Sequence, residues 1–108
     1  MHYKLSLVNI DDQKELHKFL EKQSNVFPYR DTYQTSDDLV LNEHHHTDFE
    51  ARLILEGNPT FTIYGEDVVA GPGSYIEILP HVRHSFKSTG NLKSIRFFSM
   101  NDGWVAVY

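Results

Sequence analysis

From residue 38 onward the chain breaks into short runs of β-forming residues separated by tight-turn compositions, and this rhythm limits the folds open to it. The runs are 39–41, 51–55, 60–64, 68–70, 75–79, 84–87, 94–100 and 105–108, rich in Val, Ile, Leu, Phe, Tyr and Thr. Between them lie Glu-Gly-Asn-Pro, Tyr-Gly-Glu-Asp, Gly-Pro-Gly-Ser, Leu-Pro-His and Ser-Thr-Gly-Asn. Each is a turn for a physical reason: Gly reaches positive φ, Pro fixes φ, and Asn and Asp bond to their own backbone. Many short, evenly spaced strands joined this way predict an all-β jelly roll or small barrel.

The segment ahead of it reads differently. Residues 12–23 carry Leu16, Phe19 and Leu20 on one face at helical spacing, with Asp12 as N-cap and Glu15 completing a capping-box pattern. His17 falls among the charged residues and reads as solvent-exposed. Val26-Phe27-Pro28-Tyr29 breaks the helix and can start an extended segment. The expectation is one domain over 1–108, with 1–37 as N-terminal helix and lead-in and 38–108 as a metal-binding barrel.

Composition narrows the function classes. The 108 residues are 40% hydrophobic with a net charge of −5, and the few Lys and Arg are scattered, which argues against a nucleic-acid surface. There is no cysteine, so disulfides, thiolate zinc sites and a cysteine nucleophile are excluded. No apolar stretch approaches transmembrane length and no signal peptide is visible, so the expectation is a cytoplasmic protein with no membrane partner.

The chemistry concentrates in Glu43-His44-His45-His46-Thr47-Asp48-Phe49-Glu50. On a strand, residues two apart share a face, with Cα atoms roughly 6.5–7 Å apart. His44 and His46 therefore converge, His45 points away, and Glu50 adds an oxygen of the same parity from the start of the next strand. His84, on a later strand, is a further imidazole. Neutral imidazoles with a carboxylate suit a divalent first-row metal. The plainer reading is that His-x-His arises by chance and that Glu50 is one exposed glutamate among many.

His44-x-His46-x-x-x-Glu50 followed by Gly57 resembles the first motif of the cupins. Gly73 and His84 have the spacing of the second, although Leu79 stands where its proline is expected, Pro80 follows, and His81 replaces its usual glycine. A narrower resemblance rests on Glu43-His44-x-His46, Glu50-x-Arg52, Glu56-Gly57, His84-x-Phe86, Ile95-Arg96-x-Phe98 and Gly103-Trp104-Val105-Ala106, which look like the acireductone dioxygenases. It covers residues 40–108, and more weakly Asn9–Tyr33. It implies a cupin jelly-roll barrel with one N-terminal helix and a metal site of His44, His46, Glu50 and His84. The metal implied is one Fe²⁺ or Ni²⁺ ion, with Zn²⁺ as an adventitious occupant. The implied reaction is cleavage of an acireductone enediolate by O₂ in methionine salvage.

Arg52 shares the parity of Glu50, so a strand turns it inward, where a guanidinium stabilises charge on an enediolate. Arg96 offers a second cation or a bond to a ligand. Phe86, Phe98 and Trp104 are, by resemblance, an apolar wall against the substrate. The plainer readings are paired barrel arginines and ordinary core aromatics.

This chain departs from the family in length. A helical segment before the first metal strand is replaced by the link 35–38, and Val40 and Ser85 stand where Phe and Trp are usual. Three functions therefore stay open. One is a minimal acireductone dioxygenase, or a relative acting on another enediol or diketone with O₂. The others are a metallocupin acting on a different small substrate and a non-catalytic metal or small-molecule binding domain. A shortened barrel leaves an edge uncovered, for which a homodimer is one remedy.

Overall fold

A computed structural model describes residues 2–46 and 49–99, and the backbone alone of 104–106. Among these lie ten strands and one helix: β1 Tyr3–Leu7, α1 Gln13–Ser24, β2 Tyr29–Thr35, β3 Leu39–His46, β4 Glu50–Glu56, β5 Thr60–Ile63, β6 Glu66–Val69, β7 Ser74–Ile78, β8 His84–Ser88, β9 Leu92–Phe98 and β10 Trp104–Ala106. The strands form two five-stranded antiparallel sheets, ordered β1-β7-β4-β9-β2 and β10-β3-β8-β5-β6. This is an all-β jelly roll, with the helix laid on one sheet.

The helix begins where the capping pattern places it. Asp12 accepts from the backbone N–H groups of Lys14 and Glu15 at 2.9 and 3.2 Å. The reciprocal arm differs: the Asp12 N–H donates to the Asn9 carbonyl at 3.2 Å. Leu16, Phe19 and Leu20 pack on Ala51, Leu53, Tyr75, Ile95 and Phe97. The first sheet is thus covered on both faces, which explains why β4 is buried over five consecutive residues instead of alternating. Its odd-numbered residues Ala51, Leu53 and Leu55 lie under the helix. Ile54, Phe61, Ile63, Ile76, Ile78, Phe86 and Leu92 fill the space between the sheets. Each such side chain fully withdrawn from water stabilises the fold by roughly 1.5–3 kcal/mol.

The lead-in over 1–37 is more than a helix and a link. It supplies β1 and β2, which form the two outer edges of the first sheet. Both strands are exposed along most of their length, so their sequences lack the burial alternation that marks an inner strand. The expected strands over 94–100 and 105–108 become β9 and β10. Met100, Val107 and Tyr108 lie outside the described residues.

Two glycines fix the corners that bring these strands together. Gly57 has φ +98°, and a Cβ there would stand 2.5 Å from the Asn91 carbonyl oxygen. Gly73 has φ +89°, with the Val8 carbonyl 2.7 Å from where its Cβ would be. These are the glycines whose spacing in the sequence resembles the two cupin motifs.

Candidate metal centre

A one-residue irregularity in β3 aims the histidines. Leu41 pairs with Phe86 and His44 with His84, so the register against β8 slips by one between Leu41 and His44. In an unbroken strand Leu39, Leu41, Glu43 and His45 would share the inner face. The bulge transfers that face to His44 and His46, which are buried, while Glu43 is exposed. The sequence carries this switch as apolar Leu39 and Leu41 on odd numbers followed by His44 and His46 on even ones.

Three imidazoles converge on one carboxylate oxygen. The Nε2 atoms of His84, His46 and His44 lie 2.6, 3.0 and 3.9 Å from Glu50 Oε2. One ligand atom from each of these four buried residues lies within 4.8 Å of all the others. Glu50 comes from the first sheet and the histidines from the second, so the centre sits between the sheets.

Backbone carbonyls settle the tautomers. His44 Nδ1 donates to the Asn42 carbonyl at 2.7 Å, and His84 Nδ1 donates to the Val82 carbonyl at 2.9 Å. A carbonyl only accepts, so each Nδ1 carries a proton, and in the neutral ring the Nε2 lone pair faces the centre. Those lone pairs meet a carboxylate oxygen that is itself an acceptor. A cation among them relieves the repulsion, and three neutral imidazoles with one carboxylate match a divalent first-row ion. The donor set therefore fits the metal that the sequence implies.

Without an ion, a proton on Nε2 plays the same part and turns the contact into a hydrogen bond to Glu50. Burial pushes the Glu50 carboxyl toward protonation, but bonds from His44, His46 and His84 and the nearby Arg52 charge outweigh it and hold the group well below the usual carboxylate range. Burial draws His44 down, yet its bonds to Glu50 and to the Asn42 carbonyl leave it above the ordinary histidine value.

Arg52 completes the inner arrangement. Its NH2 donates to Glu50 Oε1 at 3.1 Å, with both residues only 8% exposed, so the oxygen that does not face the histidines is held in place. The guanidinium lies over the Phe86 ring, 5.6 Å from its centroid. Arg96 donates to Asp31 Oδ2 from NH2 at 2.8 Å and to Oδ1 from Nε at 3.4 Å, and lies 4.4 Å from the Phe98 centroid.

One cavity opens at the centre, and a second shares part of its wall. The smaller, about 140 Å³, is lined by Leu41, His44, His46, Phe49, Glu50, Arg52, Arg96, Phe97 and Phe98. The larger, about 380 Å³, is lined by Asp31, Thr32, Tyr33, Leu39, Leu41, Arg52 and Arg96. Leu41 and the two arginines belong to both.

The structure thus brings His44, His46, Glu50, His84, Arg52, Arg96 and Phe98 around one space. Phe86 is placed differently: it packs edge-on to Phe61 at 5.0 Å, beneath Arg52, and is not among the residues lining either cavity. The Trp104 backbone pairs directly with His46, while its side chain and Gly103 lie outside the described residues. His45 turns away from the centre, its ring 5.9 Å from that of His81. Asp31, Leu41 and Phe49 are cavity residues that the motifs do not mark. Leu41 could have been found from the parity switch, whereas Asp31 reaches Arg96 across 65 residues and has no local signal.

A jelly roll with a buried three-histidine, one-glutamate cluster between its sheets defines a class of protein. The Cupin domain family profile matches residues 33–101, more than half of the chain, and the chain belongs to the cupin family. Among curated proteins it is similar to the acireductone dioxygenase of Bacillus pumilus, with 38% identity over 110 aligned positions, 89% of this chain and 62% of that one. It is also similar to the acireductone dioxygenase of Bacillus subtilis, at 35% identity over 97 positions, 81% of this chain and 54% of that one. The chain therefore spans between half and two thirds of the length of these relatives. Among solved structures, acireductone dioxygenase from Bacillus anthracis, with a cadmium ion in its active centre, shares the fold. Its TM-score is 0.73 at 23% identity, over 98% of this chain and 83% of that chain.

Proposed function

We propose that this chain is an acireductone dioxygenase-type enzyme: with one divalent metal ion it binds an enediolate and cleaves it with O₂. The observation that carries this reading is the convergence of three Nε2 atoms on Glu50 Oε2 beside two arginine-lined cavities. His44, His46, Glu50 and His84 hold the ion. Fe²⁺ or Ni²⁺ is the ion proposed, and zinc, or cadmium as in the Bacillus anthracis relative, is an occupant of the same donor set. Bound there, the ion would act as a Lewis acid that holds the electron-rich enediolate for reaction with O₂.

The protein's own part is orientation and field. Hydrogen bonds from His44 and His84 to backbone carbonyls lock two rings, and Arg52 locks the carboxylate. Arg52 and Arg96, each paired with a carboxylate, line the space where an enediolate would bind and offer it N–H donors. Leu41, Phe49 and Phe98 give that space apolar walls, and Trp104, opposite His46 in the register, is proposed as a further wall. Phe86 supports Arg52 from beneath.

The similarity to acireductone dioxygenases supports a place in methionine salvage. A cytoplasmic location is proposed with it, supported by the cysteine-free sequence. Among the described residues, no helix is long and apolar enough to cross a membrane.

The test is oxygen uptake with an anaerobically generated acireductone, run against a no-protein control because such compounds autoxidise. Fe²⁺- or Ni²⁺-loaded protein should consume O₂ well above that control, and His46→Ala should not. Equal rates with and without loaded protein would leave a binding domain as the better reading.

A further inference from the structure

Asp31 belongs to a row of charges that crosses the first sheet in register. Arg52 on β4 stands directly opposite Arg96 on β9, and Arg96 stands directly opposite Asp31 on β2. Two like charges facing each other across neighbouring strands are unfavourable unless each has its own counter-charge. Here each does: Glu50 takes Arg52 at 3.1 Å, and Asp31 takes Arg96 at 2.8 Å. The four side-chain charges cancel. A divalent ion in the centre adds two positive charges that these four do not offset.

An enediol that has lost both protons carries two negative charges and offsets that remainder. The larger cavity is the adjoining space open to its tail: there Leu39, Leu41, Thr32 and Tyr33 are uncharged and both arginines already face carboxylates. Asp31 is the acidic residue in that wall. A tail bearing a carboxylate or phosphate would meet it with no cation left to pair.

Resting on the proposed function, we propose that Asp31 is a specificity-determining residue. By pairing Arg96 within the cavity wall it restricts the site to enediolates with uncharged tails and rejects those carrying a second anionic group. The pair also holds the Arg96 guanidinium over Phe98, 4.4 Å from the ring centroid, so charge and position are set together.

Two chelating probes separate head group from tail: catechol, whose ring bears no further charge, and 3,4-dihydroxybenzoate, which adds a carboxylate. Binding of each to the Ni²⁺-loaded chain is measured by calorimetry, and the quantity read is the ratio of the two dissociation constants. Comparing this ratio between variants cancels the probes' intrinsic difference in metal affinity. Wild type should disfavour the carboxylated probe. Asp31→Asn keeps the shape but not the charge and should cut the ratio about fivefold, the size expected for one half-exposed charge at about 4 Å screened as in water. Asp31→Glu should restore it. A ratio unchanged in Asp31→Asn would overturn the proposal, as would an equal shift in Asp67→Asn, an acid on β6 bonded to Thr62. Catechol binding that needs no Ni²⁺ would overturn the proposed function and the Asp31 proposal together. Metal-dependent binding with an unchanged ratio would overturn the Asp31 proposal alone.

Discussion

His84 Nε2 and Glu50 Oε2 lie 2.6 Å apart, and they belong to different sheets. The contact closes 34 residues of chain and ties β8 to β4 across the two sheets. A metal ion among the four ligands would hold the two sheets together as well as serve chemistry.

Metal binding should therefore stabilise the fold. Ligand at a hundred times its dissociation constant adds about 2.7 kcal/mol. For a domain of this size that raises the melting temperature by on the order of 10 °C. Calorimetry with Ni²⁺, and again after chelation, should show this rise and its reversal. An unchanged melting temperature would mean the cluster is not a metal site.

Neighbouring histidines should behave oppositely. His44→Ala, His46→Ala and His84→Ala should each abolish stoichiometric Ni²⁺ binding, because each Nε2 faces Glu50 Oε2. His45→Ala should leave binding intact, since that ring lies on the other side of β3 toward His81. Equilibrium dialysis with metal analysis distinguishes the four variants.

Arg52→Ala should weaken metal binding about 10- to 100-fold although the residue is not a ligand, because it orients Glu50 through Oε1. It should also cost about 1–3 kcal/mol of stability by leaving that oxygen buried without its donor. Titration calorimetry and urea unfolding measure the two effects separately.

The turn residues give predictions with no metal in them. His81 has φ +65° where a glycine would be unstrained, and its N–H donates to the His46 carbonyl at 2.7 Å. His81→Gly keeps that bond and should stabilise the chain by about 1 kcal/mol. Gly57→Ala should destabilise it by about 2 kcal/mol or more, since the new Cβ meets both positive φ and the Asn91 carbonyl. Shifts of the urea midpoint in opposite directions, at constant slope, are the expected result.

Acid should release the metal through the histidines. Glu50 is held ionised to well below 4.5, so it remains a ligand throughout mild acidification. The metal-free His44 sits above 6.5, so protons compete for its ring from above that pH downward. The Ni²⁺ dissociation constant should already be rising as the pH falls toward 6.5, rather than only near pH 4. A break confined to the carboxylate range would contradict the ligand set.

Much of the site was legible in the sequence because its signals are local. His44, His46 and Glu50 lie within seven residues, and Gly57 and Gly73 mark corners that only glycine fits. The β3 bulge was harder to see, since alternation alone gives the right pair of histidines without showing that the strand slips to aim them. Strand β1 was hidden, and β2 showed only as an extended segment starting near Val26–Tyr29, for another reason. Arg30, Asp31, Thr32 and Gln34 form an edge strand whose side chains stay exposed, so no hydrophobic pattern reports it. Phe86 shows the limit of a motif: its position beside His84 is right, but its ring packs under Arg52 in the core. Asp31 lies beyond any local rule, because its partner is 65 residues away.

X-ray absorption at the metal edge of anaerobically Fe²⁺-loaded protein, with the metal-to-chain ratio measured on the same sample, tests the four-residue centre most directly. The expected result is one iron per chain, bound by three imidazole nitrogens and a carboxylate oxygen in wild type and losing one imidazole or all of its iron in His84→Ala. Iron bound in unchanged stoichiometry and with an unchanged ligand shell in His84→Ala would contradict it.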